Sequence, residues 1–153
     1  MIEVDKKKIA KIMEKHGVVV GYLFGSAARG KMGPHSDIDI AVLFDGKKIP
    51  EEKQFDEKLT ISGEVADACN VKDADVINLN QVTNPVIRYE AVLEGEPILI
   101  KDASAKARLV RHVLREYEDT KHLRETSYRI LREQAKSGAF GRAPVRLAKY
   151  VSS

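Results

Sequence analysis

The connection between two apolar runs constrains the fold more than any other feature of this chain. VVVGYLF at 18–24 and IDIAVLF at 38–44 have strand length and are rich in β-branched and aromatic residues, as buried strands are. Between them, Gly33-Pro34 ends any helix that begins near Gly25 within about two turns. Parallel neighbours usually need a crossover of about a dozen residues or more, most of them helical. The two strands are therefore predicted to pair antiparallel.

The same segment nearly spells a phosphate-binding P-loop. Residues 25–31, GSAARGK, fit the pattern G-x-x-x-x-G-K, but Met32 stands where a Ser or Thr would hold magnesium. A P-loop also continues into a full helix, which the Gly33-Pro34 break does not allow. The segment is therefore not interpreted as a P-loop.

Two acidic residues open the second run. Because Asp37 and Asp39 are two positions apart on a strand, their side chains point to one face, with α-carbons about 6 to 7 Å apart. Carboxylates placed in this way can share two divalent cations about 3.5 to 4 Å apart, as in two-metal phosphoryl-transfer sites. A turn-capping Asp37 and an edge-strand Asp39 are the structural alternatives. Neither alternative explains why Gly25-Ser26 precedes the pair at the other end of the antiparallel connection.

The Gly-rich segment supplies groups that suit a nucleotide. Gly25 lets the backbone approach a phosphate, and the Ser26 hydroxyl and the amides of a short helix at 26–30 can donate to its oxygens. Arg29 and Lys31 are within reach of a triphosphate, although either one alone is equally well an ordinary surface cation. Mg²⁺ would be held by the acidic pair, because it prefers oxygen ligands and bridges carboxylates to phosphates.

The remaining pattern predicts an α+β (mixed α/β) domain of three to five strands over residues 1–136, followed by a flexible basic tail at 137–153. Thr83 or Asn84 can cap a helix that has Pro85 in its first turn and Gly95 just past its end. The other predicted elements are helices at 5–15, 51–70 (carrying Phe55, Leu59, Val65 and Cys69) and 104–136, and strands at 74–80 and 96–101.

Composition and charge indicate the compartment of the protein and the kinds of partner that it could bind. The single cysteine, Cys69, excludes an internal disulfide framework and fits a reducing, cytoplasmic compartment, and no apolar run is long enough to span a bilayer. The net charge of +3 divides unevenly: residues 1–100 carry 13 basic and 17 acidic side chains, and residues 101–153 carry 13 and 6. The basic part could meet nucleic acid, an acidic partner or nucleotide phosphates, or could be a solvated helix face.

Gly25-Ser26, ten intervening residues and Asp37-Ile38-Asp39 together resemble the GS-x10-D-x-D signature of the minimal nucleotidyltransferases (MNT) of the DNA polymerase β-like superfamily. ADVINLN and the segment NPVIRYEAVLEGEPILIKD are also similar to that family's third-carboxylate strand and C-terminal half. The resemblance implies a polymerase β-like fold in which Asp37 and Asp39 ligate Mg²⁺ and act on ATP. It also implies a third carboxylate, for which Asp75 is favoured over Asp73 because it starts the apolar strand.

A chain of this size with this spacing resembles the antitoxin half of HEPN/MNT toxin-antitoxin pairs. That resemblance implies AMP transfer from ATP to a tyrosine of a HEPN ribonuclease partner, with the long basic helix as a candidate docking element. A small hydroxylated acceptor, an RNA end and an MNT that acts by binding alone are the alternatives. Nucleic acid is the weakest of these, because no stacking aromatic platform is evident.

Overall fold

In a computed structural model, the residues described are 4–28, 30, 37–81 and 84–136, and they build a mixed α+β fold around one sheet. The sheet has four strands in the order β3-β2-β1-β4. β1 pairs antiparallel with both β2 and β4, and β2 pairs parallel with β3. The strands are β1 (Val18–Phe24), β2 (Ile38–Phe44), β3 (Ala74–Asn78) and β4 (Glu96–Ile100). The predicted fold class is confirmed.

Five α-helices and one π-helical turn are seen in the described part of the chain. The helices are α1 (Lys6–Lys15), α2 (Gly25–Ala28), α3 (Glu51–Cys69), α4 (Pro85–Tyr89) and α5 (Ala103–Lys136), and the π-helical turn is Glu90–Glu94. None of the helices within the described ranges is long and apolar enough to cross a membrane. The predicted basic tail at 137–153 lies outside the described residues.

The antiparallel pairing predicted for the first two strands is confirmed. β1 runs from Val18 opposite Phe44 to Phe24 opposite Asp39, so the end of β1 and the start of β2 lie at the same edge. The chain reverses through the short helix α2, which follows β1 directly. Asp39 is thereby fixed one strand away from the beginning of the Gly-rich segment.

The crossover from β2 to β3 is made by α3, as a parallel connection requires. The helix starts after Pro50 and ends at Asn70, which adopts a left-handed conformation (φ 53°, ψ 46°) that a short polar side chain tolerates. The Ser62 hydroxyl donates to the carbonyl of Ala74 over 2.6 Å and ties the helix to the start of β3. Within the described ranges, β3 is the last strand of the sheet on this side.

The two faces of the sheet bury separate cores. Alternate β2 residues, among them Ile38 and Ile40, pack with α1 and α3 on one face, whereas Ala41 packs with the π-helical turn and α5 on the other. Asp39 alternates with Ile38 and Ile40, so it belongs to the second face. Of the apolar residues predicted on α3, Val65 and Cys69 are buried. Phe55 and Leu59 remain 60% and 54% exposed.

Candidate active site

The sheet register brings two of the predicted acidic residues side by side. Asp39 of β2 is the direct partner of Asp75 of β3 in the parallel ladder, and neighbouring strands are about 4.8 Å apart. A proton on either carboxyl can form a hydrogen bond between the two side chains. Asp37 is exposed just before β2, close enough for its charge to act on Asp39.

Asp73, the alternative third carboxylate, takes a different position. It is exposed before β3, and its backbone carbonyl accepts a hydrogen bond from the Ile38 amide over 3.4 Å. Asp75, by contrast, pairs directly with Asp39. The register thus supports the preference for Asp75, while its role as a ligand stays a prediction.

The acidic surroundings of Asp39 change its pKa. Partial burial, followed by the charges of Asp75, Asp37 and Glu90 and the hydrogen bond with Asp75, raises the pKa of Asp39 to about 6. Burial and like charges both disfavour an ionised carboxylate. A bound cation would relieve this repulsion, so the perturbation marks Asp39 as the centre of the acidic cluster.

Gly25 borders this cluster from the β1 side. Its backbone has φ +70°, in the left-handed region that favours glycine. A Cβ at this position would lie 2.5 Å from Oδ2 of Asp39. The glycine is therefore required both by the backbone turn and by the close approach of the carboxylate. Ser26 follows it, half-buried in α2.

The two predicted phosphate-binding cations cannot be placed. Arg29 and Lys31 lie outside the described residues, and their proposed contact with a triphosphate stays a prediction.

A cavity of about 620 Å³ opens beside the acidic cluster, along the outer edge of β3. Its polar lining includes Asp39, Asp75 and Glu90, together with Lys58 and Ser62 of α3. Apolar residues form the rest of the wall: Phe24, Leu59, Ala74, Val76, Ile77 and Ile87.

Glu90, Lys58 and Ile87 were not predicted as site residues. Glu90 opens the π-helical turn that interrupts the predicted continuous helix, and such turns are frequent at functional sites. Gly95 closes the turn: a Cβ there would lie 2.2 Å from the carbonyl oxygen of Ala91. Asn84 caps the preceding helix by accepting from the Val86 amide over 2.8 Å, as one of the two predicted caps, while Thr83 lies outside the described residues. The Pro-start and Gly-stop signals were readable, but the π geometry between them had no sequence signal.

The donor set fits magnesium in its chemistry. Asp37, Asp39 and Asp75 offer only oxygen, the ligand type that Mg²⁺ prefers. Across residues 4–28, 30, 37–81 and 84–136, however, no three His, Cys, Asp or Glu side chains are already arranged as a metal-binding group. The preformed part of the site is the Asp39-Asp75 pair, with Asp37 exposed beside it.

The fold and this acidic pair define a nucleotidyltransferase of the polymerase β type. Residues 7–104 match the family described as "Polymerase beta, Nucleotidyltransferase", and the chain belongs to that family. The matched range includes Gly25, Asp39 and Asp75. It confirms the predicted resemblance to the DNA polymerase β-like superfamily.

Individual relatives add detail. The chain is 32% identical over 94 residues to a protein of Methanocaldococcus jannaschii named provisionally as a protein adenylyltransferase, covering 61% of this chain and 94% of the relative. Among solved structures, it is similar to a chain of a toxin-antitoxin crystallised with AMP-PNP (TM-score 0.64, 22% identity, 80% of this chain and 94% of that chain). It is also similar to a chain in the complex of tri-AMPylated Shewanella oneidensis HEPN toxin with MNT antitoxin (TM-score 0.58, 20% identity, 79% and 90%). These structural likenesses agree with the observed fold.

Proposed function

We propose that this chain is a Mg²⁺-dependent protein adenylyltransferase that transfers AMP from ATP to a tyrosine of a HEPN toxin and thereby neutralises it. The observation that carries the proposal is the position of Asp39, which lies between Gly25 on one flank and Asp75 on the other. A phosphate-approaching backbone and a crowded carboxylate pair are the two parts that a nucleotidyl-transfer site needs.

The nucleotide is assigned to the Gly25 side of Asp39. Backbone without a side chain at Gly25 leaves room for phosphate oxygens, and Ser26 adds a hydroxyl. A toxin-antitoxin of the same fold was crystallised with AMP-PNP, which supports ATP as the nucleotide. Asp37, Asp39 and Asp75 would hold Mg²⁺, which when bound neutralises charge on the phosphates of ATP and orients them.

The proposed reaction joins the acceptor tyrosine to the α-phosphate of ATP. The acceptor's phenolic oxygen forms a bond to the α-phosphorus, and the bond from that phosphorus to the oxygen bridging to the β-phosphate breaks. Pyrophosphate leaves with the bridging oxygen, and the phenolic proton passes to solvent. The chain's own contribution is to position the two substrates in line and to place its carboxylates around the reacting phosphate, so that little reorganisation is needed.

The identity of the acceptor is supported by the relatives. The Methanocaldococcus jannaschii relative carries the name of a protein adenylyltransferase, and a solved complex of the same fold contains a tri-AMPylated HEPN toxin. α5 offers a candidate docking surface on this chain: it is 34 residues long and leaves Leu114, Leu123 and Tyr128 exposed.

Incubation with α-labelled ATP, Mg²⁺ and the cognate HEPN protein of the proposed pair tests the proposal. We expect label on the HEPN protein and loss of its ribonuclease activity, and neither with the Asp37→Ala, Asp39→Ala double variant. Asp73→Ala is the matched control, since it removes a neighbouring exposed carboxylate that does not pair with Asp39. Neutralisation by the double variant without transferred label would instead establish an antitoxin that acts by binding alone.

A further inference from the structure

The cavity along the edge of β3 is lined in part by apolar side chains that have no role in the proposed reaction. Its lining combines the carboxylates of Asp39 and Asp75 with the branched apolar side chains of Leu59 and Ile87. Leu59 is 54% exposed although it belongs to a helix with a well-formed buried stripe. An apolar side chain that lines a cavity and stays in contact with water is a candidate for burial against a ligand.

Two elements from opposite faces of the sheet contribute these side chains. α3, which carries Leu59, packs on the face that buries Ile38 and Ile40, whereas the π-helical turn that follows α4 packs on the other face. Ile87 belongs to α4, which leads directly into that turn. Leu59 and Ile87 therefore reach the same cavity from the two sides of the edge strand. The Ser62 hydroxyl, bonded to Ala74, fixes α3 against the strand one turn beyond Leu59.

The cavity borders Asp39 mainly from the β3 side, with four β3 residues in its lining and Phe24 from β1. Gly25 follows Phe24, which pairs with Asp39 from β1, whereas Asp75 pairs with Asp39 from β3. Asp75 lines the cavity and Gly25 is not among its lining residues. In-line transfer needs the attacking and leaving oxygens on opposite sides of the phosphorus, so the two flanks of Asp39 suit two different substrates.

We propose that this cavity is the acceptor subsite and that it binds an aromatic hydroxyl, the phenol of a tyrosine, between Leu59 and Ile87 with the hydroxyl directed toward Asp39 and Asp75. The inference rests on the proposed AMP transfer and assigns its acceptor to named residues. A phenol has an apolar body and a polar tip, which matches a lining that combines apolar walls with carboxylates. At about 620 Å³ the cavity has the size of a ligand site and can take the tyrosine with the backbone on either side of it.

Binding of model acceptors to the protein alone tests the assignment without any transfer. With methyl-labelled protein, Mg²⁺ and a non-hydrolysable ATP analogue, we expect N-acetyltyrosinamide to shift the NMR signals of the Leu59 and Ile87 methyl groups. N-acetylserinamide, which has a hydroxyl but no ring, is expected to leave them unchanged. If the ATP analogue alone moves these methyls and N-acetyltyrosinamide does not, the cavity binds adenine and the proposal is wrong.

Substitutions then connect the cavity to transfer. With the cognate HEPN protein of the proposed pair as acceptor, Leu59→Ala and Ile87→Ala are each expected to raise the KM for the acceptor roughly tenfold, as for truncation of an anchoring side chain. Affinity for the ATP analogue, measured by calorimetry, is expected to stay unchanged. Phe55→Ala is the matched control, because Phe55 is 60% exposed one turn earlier on α3 and is not part of the cavity lining.

The outcomes separate the two proposals. Transfer by the unsubstituted protein that is unaffected by Leu59→Ala and Ile87→Ala would overturn the acceptor subsite and leave the proposed function standing. Absence of transfer by the unsubstituted protein would overturn the proposed function, and the methyl shifts with N-acetyltyrosinamide would then support or refute the subsite by themselves.

Discussion

Gly25→Ala and Gly30→Ala form a matched pair that isolates the contact between the Gly-rich segment and the acidic cluster. Both glycines have positive φ, +70° and +68°, so alanine introduces similar backbone strain at each. Among the described residues, a Cβ at Gly30 meets nothing within 4 Å, whereas a Cβ at Gly25 lies 2.5 Å from the Asp39 carboxylate. The two variants therefore differ in whether Asp39 must move.

The magnitudes follow from this geometry. A non-glycine residue in the left-handed region costs about 1–2 kcal/mol, which in a chain of this length lowers Tm by about 2–8 °C. That loss is expected for both variants. Ordinary contact begins at 3.4 Å, so in Gly25→Ala the Asp39 carboxylate must retreat by roughly 1 Å, a displacement that can cost about a hundredfold in rate.

Thermal unfolding and the initial rate of AMP transfer to the HEPN protein are the two measurements. We expect similar Tm values for the two variants, and a rate for Gly25→Ala about a hundredfold below that of Gly30→Ala. Equal transfer rates would show that the position of the Asp39 carboxylate beside Gly25 does not matter for catalysis, contrary to the expected hundredfold difference.

Further predictions concern the carboxylates and the π-helical turn. Because the pKa of Asp39 is raised from 3.8 to about 6, its ionised form destabilises the fold above pH 6, and this penalty disappears as the pH falls toward 4. The full difference corresponds to about 3 kcal/mol, reduced by solvent at this half-buried site to about 1 kcal/mol. In chelator at pH 7, Asp39→Asn is thus expected to raise Tm by about 2–4 °C while abolishing transfer, and an unchanged or lower Tm would contradict this. Asp75→Asn is expected to lose at least about a hundredfold in transfer rate and Asp73→Asn less than about threefold, and the reverse order would exchange their roles. Gly95→Ala places a methyl 2.2 Å from the Ala91 carbonyl, so thermal melts are expected to show a Tm lower by about 2–12 °C, and an unchanged Tm would refute the tight closure of the turn.

The strand pairing and the acidic pair were accessible from the sequence because their signals are local. The Gly33-Pro34 break dictated a short connection, and a short connection dictated antiparallel pairing of β1 with β2. The spacing of Asp37 and Asp39 predicted a common face in the same way, and the structure places Asp37 just before β2. The approach of Asp75 to Asp39 came instead from the family resemblance, and the parallel register places the two residues side by side.

Features that depend on packing between distant segments were not accessible. The sequence of α3 gives no reason to distinguish Phe55 and Leu59 from Val65. In the folded helix, however, the first two side chains are exposed and Val65 is buried. Gln54 is buried in their place, donating to the Ile49 carbonyl over 3.1 Å and accepting from the Asn78 amide over 2.9 Å. A helical polar residue whose burial depends on a side chain of a distant strand, here Asn78 of β3, gives no periodic signal of burial.

Mapping of the modified residue is the direct test of AMP transfer to a tyrosine of the HEPN protein. The HEPN protein is incubated with this chain, Mg²⁺ and ATP, digested, and sequenced by tandem mass spectrometry. We expect AMP attached to a tyrosine with the unsubstituted chain and no AMP with Asp39→Ala. A HEPN protein that is neutralised by the unsubstituted chain but carries no AMP on any residue would contradict this expectation.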